Sequence, residues 1–158
     1  MSVGRVVGLQ RSGGGVPKLP IERAEVQLTG IVGDWQRDRR YHGGPDRALC
    51  LYSAELIGAL RVEGHPVWPG AMGENVTIEG LDWAVMQPGA RLRIGTVVLE
   101  ITNFAPPCNT ISGAFTDGRF KRASEKVHPG WSRVYARIIR EGVIVLGDQA
   151  ELLSPELS

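Results

Sequence analysis

Cysteine is scarce in this chain, which has two, Cys50 and Cys108, in 158 residues. Two thiols cannot staple a disulfide scaffold. With no export signal, reduced thiols in the cytoplasm are expected, and a single Cys50–Cys108 bridge is the alternative. Histidine is nearly as rare: His42, His65 and His128 stand far apart and form no zinc-binding spacing. Nowhere do about 18 apolar residues run together, so no membrane helix is expected. The opening stretch MSVGRVVGLQ has one Arg and no long apolar segment, which predicts no secretory leader. Charge of one sign is also lacking. A formal net charge of +1 argues against a nucleic-acid binder, which normally carries a basic excess. G-x-S-x-G, H-E-x-x-H and paired C-x-x-C motifs are absent, which removes the commonest hydrolase, zinc-protease and dithiol chemistries. No internal repeat stands out.

What is present is a balanced globular composition, with 42% hydrophobic and 22% charged residues. A chain of this length folding as one domain over residues 1–158 buries roughly 70% of its unfolded surface and needs no staples. The 21 glycines and 10 prolines fall as punctuation between short runs, the pattern of many short strands joined by tight turns. Strands are expected at residues 3–9, 25–28, 48–52 and 75–78. A helix follows the third, with Ser53 as N-cap, Leu56, Ile57 and Leu60 on one face, and Gly64 as the stop. Residues 91–94 and 97–102 predict a hairpin across Gly95-Thr96, where a leading glycine suits a type II′ turn. Residues 134–140 and 143–146 predict a second hairpin across Glu141-Gly142, and a last strand spans 150–153. Residues 112–126 are weakly helical at best, because Gly113 and Gly118 interrupt them. The expected architecture is mainly β: a β-rich α+β fold with a closed or nearly closed barrel and one or two short helices.

Chemistry concentrates in a few places. Cys108 follows a strong strand and two prolines, Pro106 and Pro107, which fix φ and hold its approach extended. It reads either as a thiolate for metal ligation or nucleophilic attack, favoured by a helix N-terminus just after it, or as a small buried hydrophobe. Cys50, between Leu49 and Leu51 in a strand, reads as structural. Residues 33–47 pack arginines, aspartates and His42 around Gly43-Gly44-Pro45. Glycine amides and arginine forks suit an anion, although a solvated loop with compensating charges explains the same composition. Glu74 and Asn75, entering a strand, can orient a ligand or satisfy turn amides. The glycine-rich residues 12–18 end in Lys18 but lack the spacing of a Walker loop.

Taken in order, these motifs resemble a known family. Gly-Gly-Val-Pro-Lys18, Gly33-Asp34, His42-Gly-Gly-Pro-Asp-Arg47, Gly73-Glu-Asn75, Arg93-Ile-Gly95, Pro107-Cys108, Tyr135-Ala-Arg137 and Gly147-Asp148 are similar to the MOSC domain. The domain is named for the C-terminal part of molybdenum cofactor sulfurase, and the likeness is to its stand-alone bacterial members. It covers the chain from about Gly4 to Leu152.

The resemblance implies a MOSC-like strand barrel, a molybdopterin-type molybdenum cofactor and the Cys108 thiolate as the metal's soft protein ligand. It implies reduction of N-hydroxylated small molecules, with His42 supplying a proton. Lys18, Arg47 and either Arg40 or Arg137 would meet the cofactor phosphate. Asp46 belongs to the pocket wall formed by His42 to Arg47, and Glu74 and Asn75 would bind the pterin amide edge. The desulfurase part of the full sulfurase has no counterpart here, so no pyridoxal phosphate is expected. Expected partners are a small N-hydroxylated substrate and an external electron-donor protein, with no nucleic acid and no membrane. Longer relatives add an N-terminal β-barrel domain that helps enclose the cofactor; here a homodimer contact or the N-terminal segment would supply that cover. Two rivals share the site: a sulfur carrier with a persulfide on Cys108, and a non-catalytic cofactor- or anion-binding module.

Overall fold

The computed structural model describes residues 3–11, 18–34, 45–107 and 109–154. Eleven strands and one α-helix are described. In chain order they are β1 (Val3–Arg11), β2 (Leu19–Pro20), β3 (Arg23–Gln27), β4 (Gly30–Ile31), β5 (Leu49–Ser53), α1 (Ala54–Val62) and β6 (Val76–Glu79). These are followed by β7 (Arg91–Ile94), β8 (Val97–Ala105), β9 (Arg133–Arg140), β10 (Gly142–Val145) and β11 (Gln149–Leu153). The neighbour order β11-β7-β8-β9-β5-β6-β1 closes on itself because β1 also pairs with β11, giving a seven-strand barrel with β2 appended to β1. Closure removes the exposed edges that an open sheet must otherwise protect.

Every neighbouring pair in the barrel is antiparallel except β5–β6. Parallel neighbours need a crossover connection, and α1 begins it. Ser53 Oγ accepts the Leu56 N–H at 3.1 Å, the capping bond its place in the sequence predicts. Ile57 and Leu60 are buried beneath the helix. The chain reverses at Gly64, whose φ of 99° a side chain would resist.

The alternation in β8 holds as expected: Val97, Leu99 and Ile101 enter the core while Glu100 and Thr102 face outward. From β9, Val134, Ala136 and Ile138 join them. The other β9 face carries Arg133, Tyr135 and Arg137, because strand side chains alternate. β5 is buried at all five positions, so its outer face is covered as well as its inner one.

The second expected hairpin does not form. β9 uses both of its edges inside the barrel, on β8 and on β5, so it has none left for β10. β10 instead pairs with β3, and β3 with β4, in a separate three-stranded sheet. It also closes over the β7–β8 turn, where Val143 N–H donates to Thr96 Oγ1 at 2.8 Å and Val143 O accepts from Thr96 N–H at 3.2 Å. Residues 109–123 form three short 3-10 turns, in keeping with their glycine-interrupted sequence. Among the described residues no helix is long and apolar enough to cross a membrane.

Candidate functional site

Outside the barrel wall, the end of β1, the middle of β5 and the turn at residues 70–75 meet at Asn75. Its Oδ1 accepts the Cys50 N–H at 3.0 Å, and its own N–H donates to Cys50 O at 2.7 Å. Asn75 Nδ2 donates to Gln10 O at 3.3 Å and to Asp34 Oδ2 at 2.9 Å. Both amide hydrogens are thereby taken by the protein, which leaves one Oδ1 lone pair for any further partner. A buried asparagine satisfied in this way sets the register of the strands it joins.

Asp34 also receives Lys18. The Nζ atom lies 2.8 and 2.7 Å from the two carboxylate oxygens, and both side chains are almost completely buried. Lys18 therefore has one ammonium hydrogen left for an anion. Its backbone packs so tightly against Gly70 that a Cβ there would sit 2.4 Å from Lys18 O, and Gly70 has φ of 91°. The same loop positions Glu74, which has no solvent exposure. Glu74 Oε2 accepts the Thr77 hydroxyl at 3.2 Å, while Oε1 makes no hydrogen bond of ordinary geometry. Burial pushes the Glu74 carboxyl above the usual carboxylate range, opposed by the main-chain amides of Gly70 and Glu74 and then by the charge of Arg133.

Arg133 opens β9 and is only 4% exposed. Nη1 donates to Met72 O at 2.6 Å, and Nη2 donates to Pro106 O at 3.1 Å and Ala105 O at 3.4 Å. One guanidinium thus ties the Glu74-Asn75 loop to the strand end that leads, two residues after Pro106, to Cys108 in the sequence. Sequence reasoning overlooked Arg133. The signal was its place two residues before Tyr135 on the polar-facing alternation of a strand whose other positions are Val, Ala and Ile.

Along the same β9 face, Arg47 lies over the Tyr135 ring with 5.4 Å between guanidinium carbon and centroid. Asp46 is exposed, and its carbonyl accepts the Thr102 hydroxyl, so the Pro45–Arg47 turn is anchored to β8. Arg137 is engaged elsewhere: its Nε donates to Glu100 Oε1 at 2.8 Å, while Arg91 takes the other oxygen at 3.0 Å. Those two hydrogen bonds, the one from Arg137 first, hold Glu100 below the usual carboxylate range. Cys50 packs with Ala105 and Tyr135, and burial pushes its thiol up to about 11, the state of an unreactive structural cysteine. Lys18, Glu74 and Asn75 are therefore brought together, Arg47 is placed on the β9 face, and Arg137 is held by Glu100. His42, Arg40 and Cys108 lie outside the described residues.

The buried carboxyl carries a pH prediction. A folded-state value raised above the unfolded one means the native state binds the extra proton, so stability falls as pH rises through the folded value. Glu74→Gln should remove that descending limb, whose slope is at most about 1.4 kcal/mol per pH unit. Urea unfolding from mildly acidic to mildly alkaline pH checks this. Parallel stability curves for both proteins would show that Glu74 does not titrate in this range.

The MOSC domain profile matches residues 38–151. The chain is 30% identical over 142 residues to the YflK protein of Bacillus subtilis, covering 89% of this chain and 63% of that one. It is 31% identical over 106 residues to YiiM of Escherichia coli, covering 63% and 47%. It therefore spans less than two thirds of the length of these curated relatives. Among solved structures, the YuaD protein of Bacillus subtilis superposes with a TM-score of 0.72 at 17% identity over 95% of both chains. YiiM of Geobacillus stearothermophilus gives 0.72 at 22% identity over 96% of this chain and 75% of that one. The profile match covers more than half of the chain, and the barrel agrees with it: this chain belongs to the MOSC domain family, which is generally linked to molybdenum cofactor binding.

Proposed function

We propose that this chain binds a molybdenum cofactor through the Cys108 thiolate and reduces N-hydroxylated small molecules. The observation that carries the reading is the Arg133 fork. A buried cation bridges Met72 O on the Glu74-Asn75 loop to the Ala105 and Pro106 carbonyls that lead into Cys108. Glu74 Oε1, buried and making no hydrogen bond of ordinary geometry, suits a polar heterocycle edge, since an under-satisfied buried oxygen costs free energy. The donor chemistry fits as well: a soft sulfur for a transition metal, and cations for a phosphate.

In this reading Cys108 would hold the metal, Lys18 and Arg47 would meet the phosphate, and Glu74 and Asn75 would meet the pterin edge. The cofactor, when bound, would supply two-electron redox chemistry for cleaving an N–O bond. Converting N–OH to N–H consumes two electrons and two protons and releases water. The electrons come from an external donor protein, and His42 holds a proton for the departing oxygen.

The test uses protein purified from a host that makes the cofactor. Metal and pterin analysis should find both, and a hydroxylamine or amidoxime should be reduced when a chemical electron donor is added. Protein carrying neither molybdenum nor pterin overturns the reading. A cyanide-labile sulfur on Cys108 in that metal-free protein would replace it with sulfur carriage.

A further inference from the structure

Beyond Cys108 in the sequence, the 3-10 turns Thr116–Gly118 and Phe120–Ala123 fold against the end of α1 and leave a cleft. Its volume is about 620 Å³, within the range of small-molecule sites. Glu63, His65, Phe120, Lys121, Arg122 and His128 line it. None of these residues belongs to the constellation around Asn75 and Arg133.

His65 decides what the cleft is built for. The residue is only 9% exposed. Its Nδ1 accepts the Thr116 N–H at 3.1 Å, so the neutral ring carries its proton on Nε2. That N–H has no acceptor among the described residues, because the neighbouring Glu63 Oε1 is 3.8 Å away, beyond hydrogen-bond reach. An edge-to-face contact with Phe115, at 5.0 Å between centroids, holds the ring in place.

Arg122 repeats the pattern. Its Nε and Nη2 donate to the two Glu63 oxygens at 2.8 and 2.7 Å, and its guanidinium carbon stands 3.8 Å from the Trp131 ring centroid. Its Nη1 is buried without a partner. Lys121 is exposed on the rim, with no counter-charge among the described residues. The cleft therefore holds a surplus of donors and positive charge over acceptors, and Phe120 adds an apolar wall.

We propose that this cleft is a second binding site, one for a small molecule that carries an oxyanion, either a carboxylate or a phosphate. The anion would accept from His65 Nε2–H and from the Arg122 guanidinium, with Lys121 supplying long-range attraction. Glu63 orients Arg122 but opposes the ligand's charge. The proposal does not rest on the reductase reading.

The full chain would be titrated with inorganic phosphate and with benzoate, at fixed pH and ionic strength, while the histidine imidazole resonances are followed. The His65 signal should shift saturably with at least one probe, and the tighter probe identifies the anion class. Lys121→Ala, a change at an exposed residue, should weaken binding about two- to fivefold at low ionic strength. Glu63→Gln should tighten it, and Cys108→Ala should leave it unchanged. A shift that never saturates, or equal affinity in Lys121→Ala, overturns the proposal. Loss of the response in Cys108→Ala also overturns it, by moving the anion to the cofactor site.

Discussion

Arg133→Met is expected to lower the thermal unfolding midpoint by roughly 5–15 °C. The substitution keeps most of the apolar volume, so the loss is not a cavity effect. What it removes is the donor set for Met72 O, Ala105 O and Pro106 O. Ala105 O lies 3.3 Å from Ser132 Oγ, but that hydroxyl's one proton is better placed on Arg133 O at 2.7 Å. The Met72 and Pro106 carbonyls lose the guanidinium and sit at the junction of two loops, where each orphaned acceptor costs about 1–3 kcal/mol. Some of that is returned, because burying a guanidinium is itself expensive, and the net cost is about 2–4 kcal/mol. Arg133→Lys should recover no more than part of it. A single ammonium lacks the planar fork that reaches Met72 on one side and Pro106 on the other. Thermal unfolding of the three proteins decides the matter: a Met variant within about 2 °C of wild type would show that the carbonyls find other partners.

Cys108→Ala should strip the protein of molybdenum, to about a tenth of the wild-type content or less. Loss of a supporting contact around a metal typically costs 10–100-fold in affinity, and loss of the ligand itself should cost at least that. The chain has no substitute thiolate. Its other cysteine, Cys50, is buried with Ala105 and Tyr135, and burial pushes its thiol up to about 11. Cys50→Ala should therefore retain metal, and Cys108→Ser should lose it, because a hydroxyl is a harder and more basic donor. Elemental analysis of the four proteins, prepared in parallel, checks the set. Equal molybdenum in wild type and Cys108→Ala would remove Cys108 from the metal's coordination shell.

The two residues have different tasks in the proposed function. Arg133 fixes the main chain that leads in sequence to Cys108, and Cys108 would supply the sulfur. Because Arg133 donates only to main-chain carbonyls among the described residues, its loss should reduce stability more than it alters ligand chemistry. Cys108→Ala should do the reverse.

Much of the fold was legible beforehand, for identifiable reasons. Apolar residues at every second position of β8, a Gly-Thr turn before it, and Ser53 ahead of an apolar helical face are local signals. The local physics that makes them visible in a sequence also makes them form. The expected β9–β10 hairpin is absent for the complementary reason. Two strands joined across Glu141-Gly142 look like partners locally, but pairing depends on which edges are free. Both edges of β9 are taken by β5 and β8, elements distant in sequence.

The candidate site divides in the same way. Residue types and their order were enough to identify the family, because a string of glycine-bordered motifs is a property of the chain itself; the same order nominates Cys108, which lies outside the described residues. Lys18, Glu74 and Asn75 were also recognisable as polar residues at element ends, though not what they touch. Only the tertiary structure showed Asp34 gripping Lys18, Asn75 spending both amide hydrogens on the protein, and Arg137 committed to Glu100. Arg133 is the clearest case. At the start of a strand it looks like any surface cation, and it becomes a buried clamp because barrel closure brings residues 72 and 105–106 to its side. Alternation along a strand is encoded by neighbours in sequence, whereas burial of a charge depends on which distant backbone groups arrive to satisfy it.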